Sequence, residues 1–254
     1  MRTFLAVVVL ATTTPYYALR VMLAALVGVK DREGSIYRRA LRRWGRLMCG
    51  AAGARVTLPG GERLADGKPR VLVANHVSWY DVFALSATLP SVAFIAKAEM
   101  RGIPLLGRAM LAAGHLFVDR KNQKAAFAAY DDAAVRIRNG TTVVIFPEGT
   151  RGFDYPLRPF KKGPFVLAVA AGVPVTPILL HGTLDVLRKG SFRVRKHDIE
   201  IHVLDDISTE GCSYDDRDRL ALATRNAMSA AQERLYGVTS PEWNPRGVMN
   251  ASSA

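Results

Sequence analysis

Cysteine is scarce in this chain: Cys49 and Cys212 are the only two among 254 residues, and neither has a CxxC partner. That argues against a disulfide framework or a cysteine zinc site and fits a reducing compartment. Histidine is also sparse. Of the five, His115, His181, His197 and His202 show no metal-ligand spacing and read as structural or surface residues. No Gly-x-Ser-x-Gly elbow occurs, so a serine-nucleophile hydrolase lacks its usual turn. No internal repeat is present. Acidic residues are outnumbered, 22 against 35 Lys and Arg, leaving a formal charge of +13. Such an excess calls for an anionic partner, whether nucleic acid, an acidic membrane surface or a phosphorylated substrate.

The placement of the charge separates these partners. Residues 1 to 55 hold ten Lys and Arg and two Asp and Glu, so +8 of the +13 lies there, beside an apolar N-terminus. A nucleic-acid domain would not concentrate its charge in that way, and no nucleic-acid partner is expected. Met1 to Val29 carries only Arg2 and Arg20, with Pro15 in the middle. It reads as one tilted membrane span or a bent pair of short helices dipping into one leaflet, with a buried core helix as the alternative. Ser35 to Gly50 places Ile36, Tyr37, Ala40, Leu41, Trp44, Leu47 and Met48 on one helical face and five arginines (38, 39, 42, 43 and 46) on the other. That pattern suits a headgroup-level helix on an anionic membrane, or a solvated cationic face packed on a core. One arginine before the apolar run and many after it put the remainder on the cytoplasmic face of the cell (inner) membrane.

Beyond a turn-rich entry at Val56 to Pro69, strands alternate with helices, the pattern of an α/β domain. Apolar runs predict strands from Val71 to the polar turn that carries His76, and at Val92 to Lys97, His115 to Val118, Thr141 to Phe146 and Val173 to Leu180. Alternation predicts a half-exposed strand through Ile199, Ile201 and Val203. Helices are expected over Val82 to Leu89, Leu105 to Ala113, from Asn122 as cap to Gly140, Pro164 to Ala171, and from a Ser213 cap to Tyr236. In the last, Leu220, Ala223, Ala227, Ala231 and Leu235 are the expected inward face. The expected fold is a mixed, mostly buried sheet flanked by helices. The expected divisions are an anchor and basic helix over 1–55, a catalytic domain over 56–237 and a disordered or loosely docked tail over 238–254.

Two strand ends carry chemistry. VLVANHVSWYD runs from a buried strand into a polar turn with His76 and, five residues on, Asp81, a His-x-x-x-x-Asp motif. Alone, this spacing fits equally a surface histidine and a helix-capping aspartate. Residues five apart do not share a face of one helix, so the two meet only if His76 lies in the turn and Asp81 on the following helix. There an imidazole can act as a base with a carboxylate orienting its second nitrogen. The second strand end, FPEGTR, brings Glu148 and Arg151 out of a Pro-Gly turn, and a guanidinium fork suits phosphate oxygens. A turn held by a Glu-Arg ion pair is the simpler reading of the same residues.

NHVSWYD, GHLFVDR, FPEGTR and VPVTPI stand in the order and spacing of the four blocks of the PlsC-like glycerolipid acyltransferases. The chain resembles that family over about Val71 to Ile178, most nearly its 1-acyl-glycerol-3-phosphate acyltransferases, and Phe160-Lys-Lys-Gly163 is similar too. The resemblance implies that His76 is the general base and Asp81 its orienting carboxylate. It implies that Arg120, Glu148, Gly149, Thr150 and Arg151 contact the phosphorylated acceptor, and that the block around Pro174 serves the acyl donor. The implied reaction moves an acyl chain from acyl-CoA or acyl carrier protein to the free hydroxyl of lysophosphatidic acid in a membrane, giving phosphatidic acid for phospholipid biosynthesis. No cofactor or metal is expected beyond the acyl thioester, which already supplies a good leaving group. Other lysophospholipids or lyso-aminolipids are alternative acceptors, and a lipid hydrolase or a lipid-binding protein without activity are alternative classes.

Overall fold

The computed structural model describes residues 1–30, 35–119 and 123–245, and gives only the backbone for 123–127. Arg120 and the Asn122 cap lie outside the described residues, as does 246–254. A seven-stranded sheet is built from β1 (Val56–Thr57), β2 (Val71–Ala74), β3 (Val92–Lys97), β4 (Leu116–Val118), β5 (Thr142–Ile145), β6 (Val175–His181) and β7 (Ile199–Val203). The order is β1-β7-β6-β2-β5-β3-β4. All pairs are parallel except β6 with β7, so the sheet is mixed as expected. The two-residue β1 was not legible in the turn-rich entry segment.

Both faces of the sheet are covered, which is why β2 is apolar at every position. Val71 and Val73 point into one cluster with Val143, Ile145, Phe165 and Met228. Leu72 and Ala74 point into another with Val144, Ile178, Phe83 and Met48. The first face is closed by α5 (Gln123–Arg138), α6 (Gly163–Ala171) and α8 (Arg217–Tyr236), the second by α2 (Ile36–Ala52) and α3 (Tyr80–Thr88). His115 is buried against this second side of the sheet, where its Nδ1 accepts the Phe94 amide at 2.9 Å. Burial lowers its pKa to about 3, so it stays neutral and structural.

The chain leaves β2 toward β3 on one side and leaves β5 toward β6 on the other. The parallel register of Val71 to Val73 against Val143 to Ile145 sets the two carboxyl ends side by side. Opposite departures open a crevice at that point, where α/β sheets place their sites.

The N-terminal helices are part of this body. Met48, Cys49 and Ala52 of α2 belong to the core cluster under β2, so residue 55 is not a packing boundary. Burial pushes the Cys49 thiol up to about 12, which leaves it unreactive. At Gly45, an added Cβ would stand 2.5 Å from the Phe83 carbonyl, so only glycine lets α2 approach α3 this closely. The arginine face of α2 is corrected in part. Arg38 donates to Val92 O at 2.6 Å, Arg42 to Pro90 O at 2.9 Å and Arg46 to Ala87 O at 3.3 Å. These three guanidinium groups satisfy carbonyls at and beyond the C-terminal end of α3, where a helix lacks partners and favours cations. They are turned to the protein, while Arg39 and Arg43 point to the surface.

α1 (Arg2–Leu26) is one continuous helix through Pro15, not a bent pair. Ala6, Ala18, Val21 and Ala24 are buried, while Phe4, Leu5, Val8, Leu19, Leu23 and Leu26 are exposed. At 100° per residue these sets occupy opposite arcs. Arg2 donates to Ala52 O, and the Trp44 indole donates to Thr14 Oγ1 at 3.0 Å, fixing the buried arc along α2. The helix is long and apolar enough to cross a membrane, yet one side is occupied by protein.

Two expectations at the C-terminus change. Ala223 and Leu235 of α8 are exposed, and Thr224, Arg225 and Gln232 are buried instead. Arg225 donates to Leu157 O and Pro241 O, and Gln232 to Tyr155 O, so polar residues face inward because they satisfy loop carbonyls. The segment after Tyr236 is docked as far as it is described. Ser240 Oγ accepts the Leu157 amide at 2.8 Å, and Trp243 packs on the core.

Candidate active site

Asn75 ends β2 and anchors the turn beyond it. Its side chain donates to Leu180 O at 3.0 Å and accepts from Leu180 N at 2.7 Å, pinning that turn to β6. His76 comes next, and α3 begins at Tyr80, two residues before the expected start, so Asp81 lies in its first turn. His76 Nδ1 and Asp81 Oδ2 are 2.7 Å apart. The same oxygen accepts the amides of Val77 and Ser78, each at 2.8 Å. Asp81 therefore caps no helix amide; from the first turn of α3 it ties the preceding turn and the histidine together. Its carboxylate is fully buried. Its Oδ2 faces Nδ1 of the imidazole, which leaves Nε2 as the ring nitrogen turned away from the carboxylate.

The FPEGTR turn meets this pair across the crevice. Phe146 stacks under the imidazole with 4.0 Å between ring centroids. Pro147 starts the turn and Gly149 takes φ of 79°, a conformation that a side chain would strain. Glu148 is turned inward, where Oε1 accepts the His76 amide at 2.8 Å. Burial raises its pKa to about 7, against the stabilising His76 amide and the nearby Arg158 charge. No Glu148–Arg151 ion pair forms among the described residues. The Arg151 guanidinium lies over the Trp79 ring at 4.8 Å, and partial burial lowers its pKa. Gly152 N closes the turn by donating to His76 O at 2.7 Å.

His76, Asp81, Glu148, Gly149, Thr150 and Arg151 thus converge. Pro174 does not: it stands before β6, and its carbonyl accepts the Val71 amide at the opposite end of β2. It is the far end of β6, beyond the VPVTPI block, that meets the site, through the Leu180 backbone bonded to Asn75. Sequence reasoning missed Asn75, Arg158 and Arg225. Arg158 donates to Thr150 O at 3.1 Å, and the buried Arg225 ties down the Leu157 carbonyl behind it. A basic residue near FPEGTR was the available signal for Arg158; nothing marked Asn75 beyond its place at a strand end.

An imidazole oriented by a buried carboxylate at a sheet end, beside an arginine-bearing turn, is the arrangement of an α/β enzyme site. The acyltransferase family model matches residues 55–181, the span that contains His76, Asp81 and the FPEGTR turn. A 1-acyl-sn-glycerol-3-phosphate acyltransferase of Limnanthes alba is 32% identical over 210 residues, covering 82% of this chain and 73% of that protein. The alpha form of the same enzyme from Homo sapiens is 34% identical over 178 residues, 69% of this chain and 63% of its own. The crystal structure of the 1-acyl-sn-glycerophosphate (LPA) acyltransferase PlsC from Thermotoga maritima superposes with a TM-score of 0.78 over 94% of this chain and 97% of that one. At 24% identity it shows the same fold. The chain belongs to the acyltransferase family, and it is an O-acyltransferase.

Proposed function

We propose that the chain transfers an acyl group from an acyl thioester to the free hydroxyl of 1-acyl-glycerol-3-phosphate, giving phosphatidic acid at the cytoplasmic face of the cell membrane. The observation that carries this reading is the 2.7 Å contact between His76 Nδ1 and the buried Asp81, set against the FPEGTR turn. Nε2 of His76 takes the hydroxyl proton as the oxygen attacks the thioester carbonyl carbon. The C–O bond forms, the C–S bond breaks, and the departing thiolate recovers the proton from the imidazolium. Asp81 stabilises that imidazolium and holds its orientation. Arg151, with Arg120 of the neighbouring block, binds the acceptor phosphate, and Gly149 and Thr150 shape the turn that presents it. Glu148 acts from behind by holding the His76 backbone. No resident cofactor takes part; coenzyme A or acyl carrier protein enters as the donor's thiol carrier.

Purified protein supplied with acyl-CoA or acyl carrier protein thioester and a panel of lyso-acceptors tests this. Mass spectrometry should find phosphatidic acid as the main product. Release of free fatty acid without acceptor acylation, or transfer only to acceptors lacking a phosphate monoester, would overturn it.

A further inference from the structure

Between α7 (Thr183–Val186) and β7, residues 187–197 carry Arg188, Lys189, Arg193, Arg195 and Lys196 and no acidic residue. Arg188, Arg193, Arg195 and Lys196 are exposed and make no ion pair among the described residues. Phe192 at the tip is 91% exposed. The loop is nonetheless built. Arg195 N donates to Val186 O at 2.9 Å, Arg193 N to Ser191 Oγ at 3.0 Å, and Val194 packs on the core. Val194 is thus held inward while Phe192, two residues earlier, is left in solvent.

Two contacts give the loop its place. Val194 N donates to Thr3 Oγ1 at 3.0 Å, on the docked arc of α1, so the loop abuts the first turn of that helix, which also carries the exposed Phe4. On its other side Lys189 Nζ donates to Arg151 O at 2.7 Å, and Ser78 Oγ donates to Leu187 O at 2.7 Å. The loop is therefore part of the rim of the active site. We propose that residues 187–197 form a contact with an anionic bilayer surface, in which Phe192 enters the interfacial layer and the four unpaired cations meet lipid headgroups. This rests on the acyltransferase reading and the membrane placement of α1, and adds a second contact that turns the site rim toward the leaflet. An acidic partner protein would also meet the charges, but an exposed phenylalanine on a loop tied to the first turn of an apolar helix fits lipid better.

The test uses the full chain reconstituted in vesicles of phosphatidylcholine alone or mixed equally with phosphatidylglycerol. Phe192→Cys in a Cys212→Ser background, labelled with an environment-sensitive dye, reports depth through quenching by brominated lipid, independently of turnover. Quenching should be strong in anionic vesicles, weaker in neutral ones, and reduced in high salt. Replacing Arg188, Arg193, Arg195 and Lys196 by Gln should remove the anionic-lipid dependence of quenching. The same variant should lose about tenfold in turnover of bilayer-presented acceptor while keeping turnover of detergent-dispersed acceptor. Absence of quenching in anionic vesicles overturns the proposal even if acyl transfer is intact. So does a Gln variant that quenches normally and fails only with acyl carrier protein as donor, which would make the loop a carrier-docking surface.

Discussion

The amide of His76 donates to Oε1 of Glu148 at 2.8 Å, joining two sequence blocks that lie 72 residues apart. The His76 turn and the FPEGTR turn are therefore one hydrogen-bonded unit, and the joining carboxyl is buried. Its pKa of about 7, against an ordinary value of 4.5, has a thermodynamic consequence. Between those two pH values the folded chain keeps a proton that the unfolded chain has released. Stability from this group is full below about pH 4.5 and falls as pH rises through about 7. Glu148→Gln stays neutral and keeps a carbonyl oxygen for the His76 amide. The unfolding free energy in detergent should fall across that interval for the wild type by up to about 3 kcal/mol relative to the Gln variant. Parallel curves would assign the pH dependence to another group.

His76→Ala should remove nearly all acyl transfer, a loss on the order of 10²–10⁴ from the missing base. The residue sits on the crevice surface, so folding and membrane association should persist. Asp81→Asn should be nearly as damaging, because Asn cannot stabilise the imidazolium and presents a competing donor. It should also lower stability, since Asp81 accepts the Val77 and Ser78 amides. Steady-state rates paired with melting curves separate the two effects. A folded His76→Ala enzyme with normal turnover would remove the histidine from the mechanism.

Arg151→Lys keeps a positive charge but loses both the planar fork and much of the stacking on Trp79. The KM for lysophosphatidic acid should rise, by roughly tenfold if one charge-assisted hydrogen bond is lost. The KM for the acyl donor should move much less. A shift confined to the donor constant would contradict the phosphate assignment.

The sheet was legible because its strands are buried on both faces: an unbroken apolar run such as Val71 to Ala74 has no other comfortable home. The His76–Asp81 contact was legible because a spacing of five closes only across a turn into a helix. What sequence could not show was reach. Arg38, Arg42 and Arg46 read as solvent or headgroup charges, yet their long side chains reach the carbonyls around the end of α3, 41 to 54 residues away in the chain. The inward face of α8 was misplaced for a similar reason. Arg225 and Gln232 are buried by the carbonyls of a loop some 70 residues upstream, and hydropathy carries no record of those partners.

The apolar arc of α1 is the candidate membrane-facing surface. Phe4, Val8, Leu19 and Leu23 are exposed on one side, while the other side is fixed to α2 by the Arg2–Ala52 and Trp44–Thr14 hydrogen bonds. A helix so attached would enter a bilayer only with the domain beside it. Hydrocarbon burial does not weaken with salt, whereas attraction between charges and headgroups does. Full-length protein should therefore stay with membranes in high salt and need detergent for release. Replacing Phe4, Val8, Leu19 and Leu23 together by Ser leaves the docked arc untouched and removes about 2 kcal/mol of burial per side chain. That variant should keep its melting temperature in detergent but wash from anionic vesicles as salt rises, held only by its cationic surface. Wild-type protein released by salt alone would show that the arc does not enter lipid.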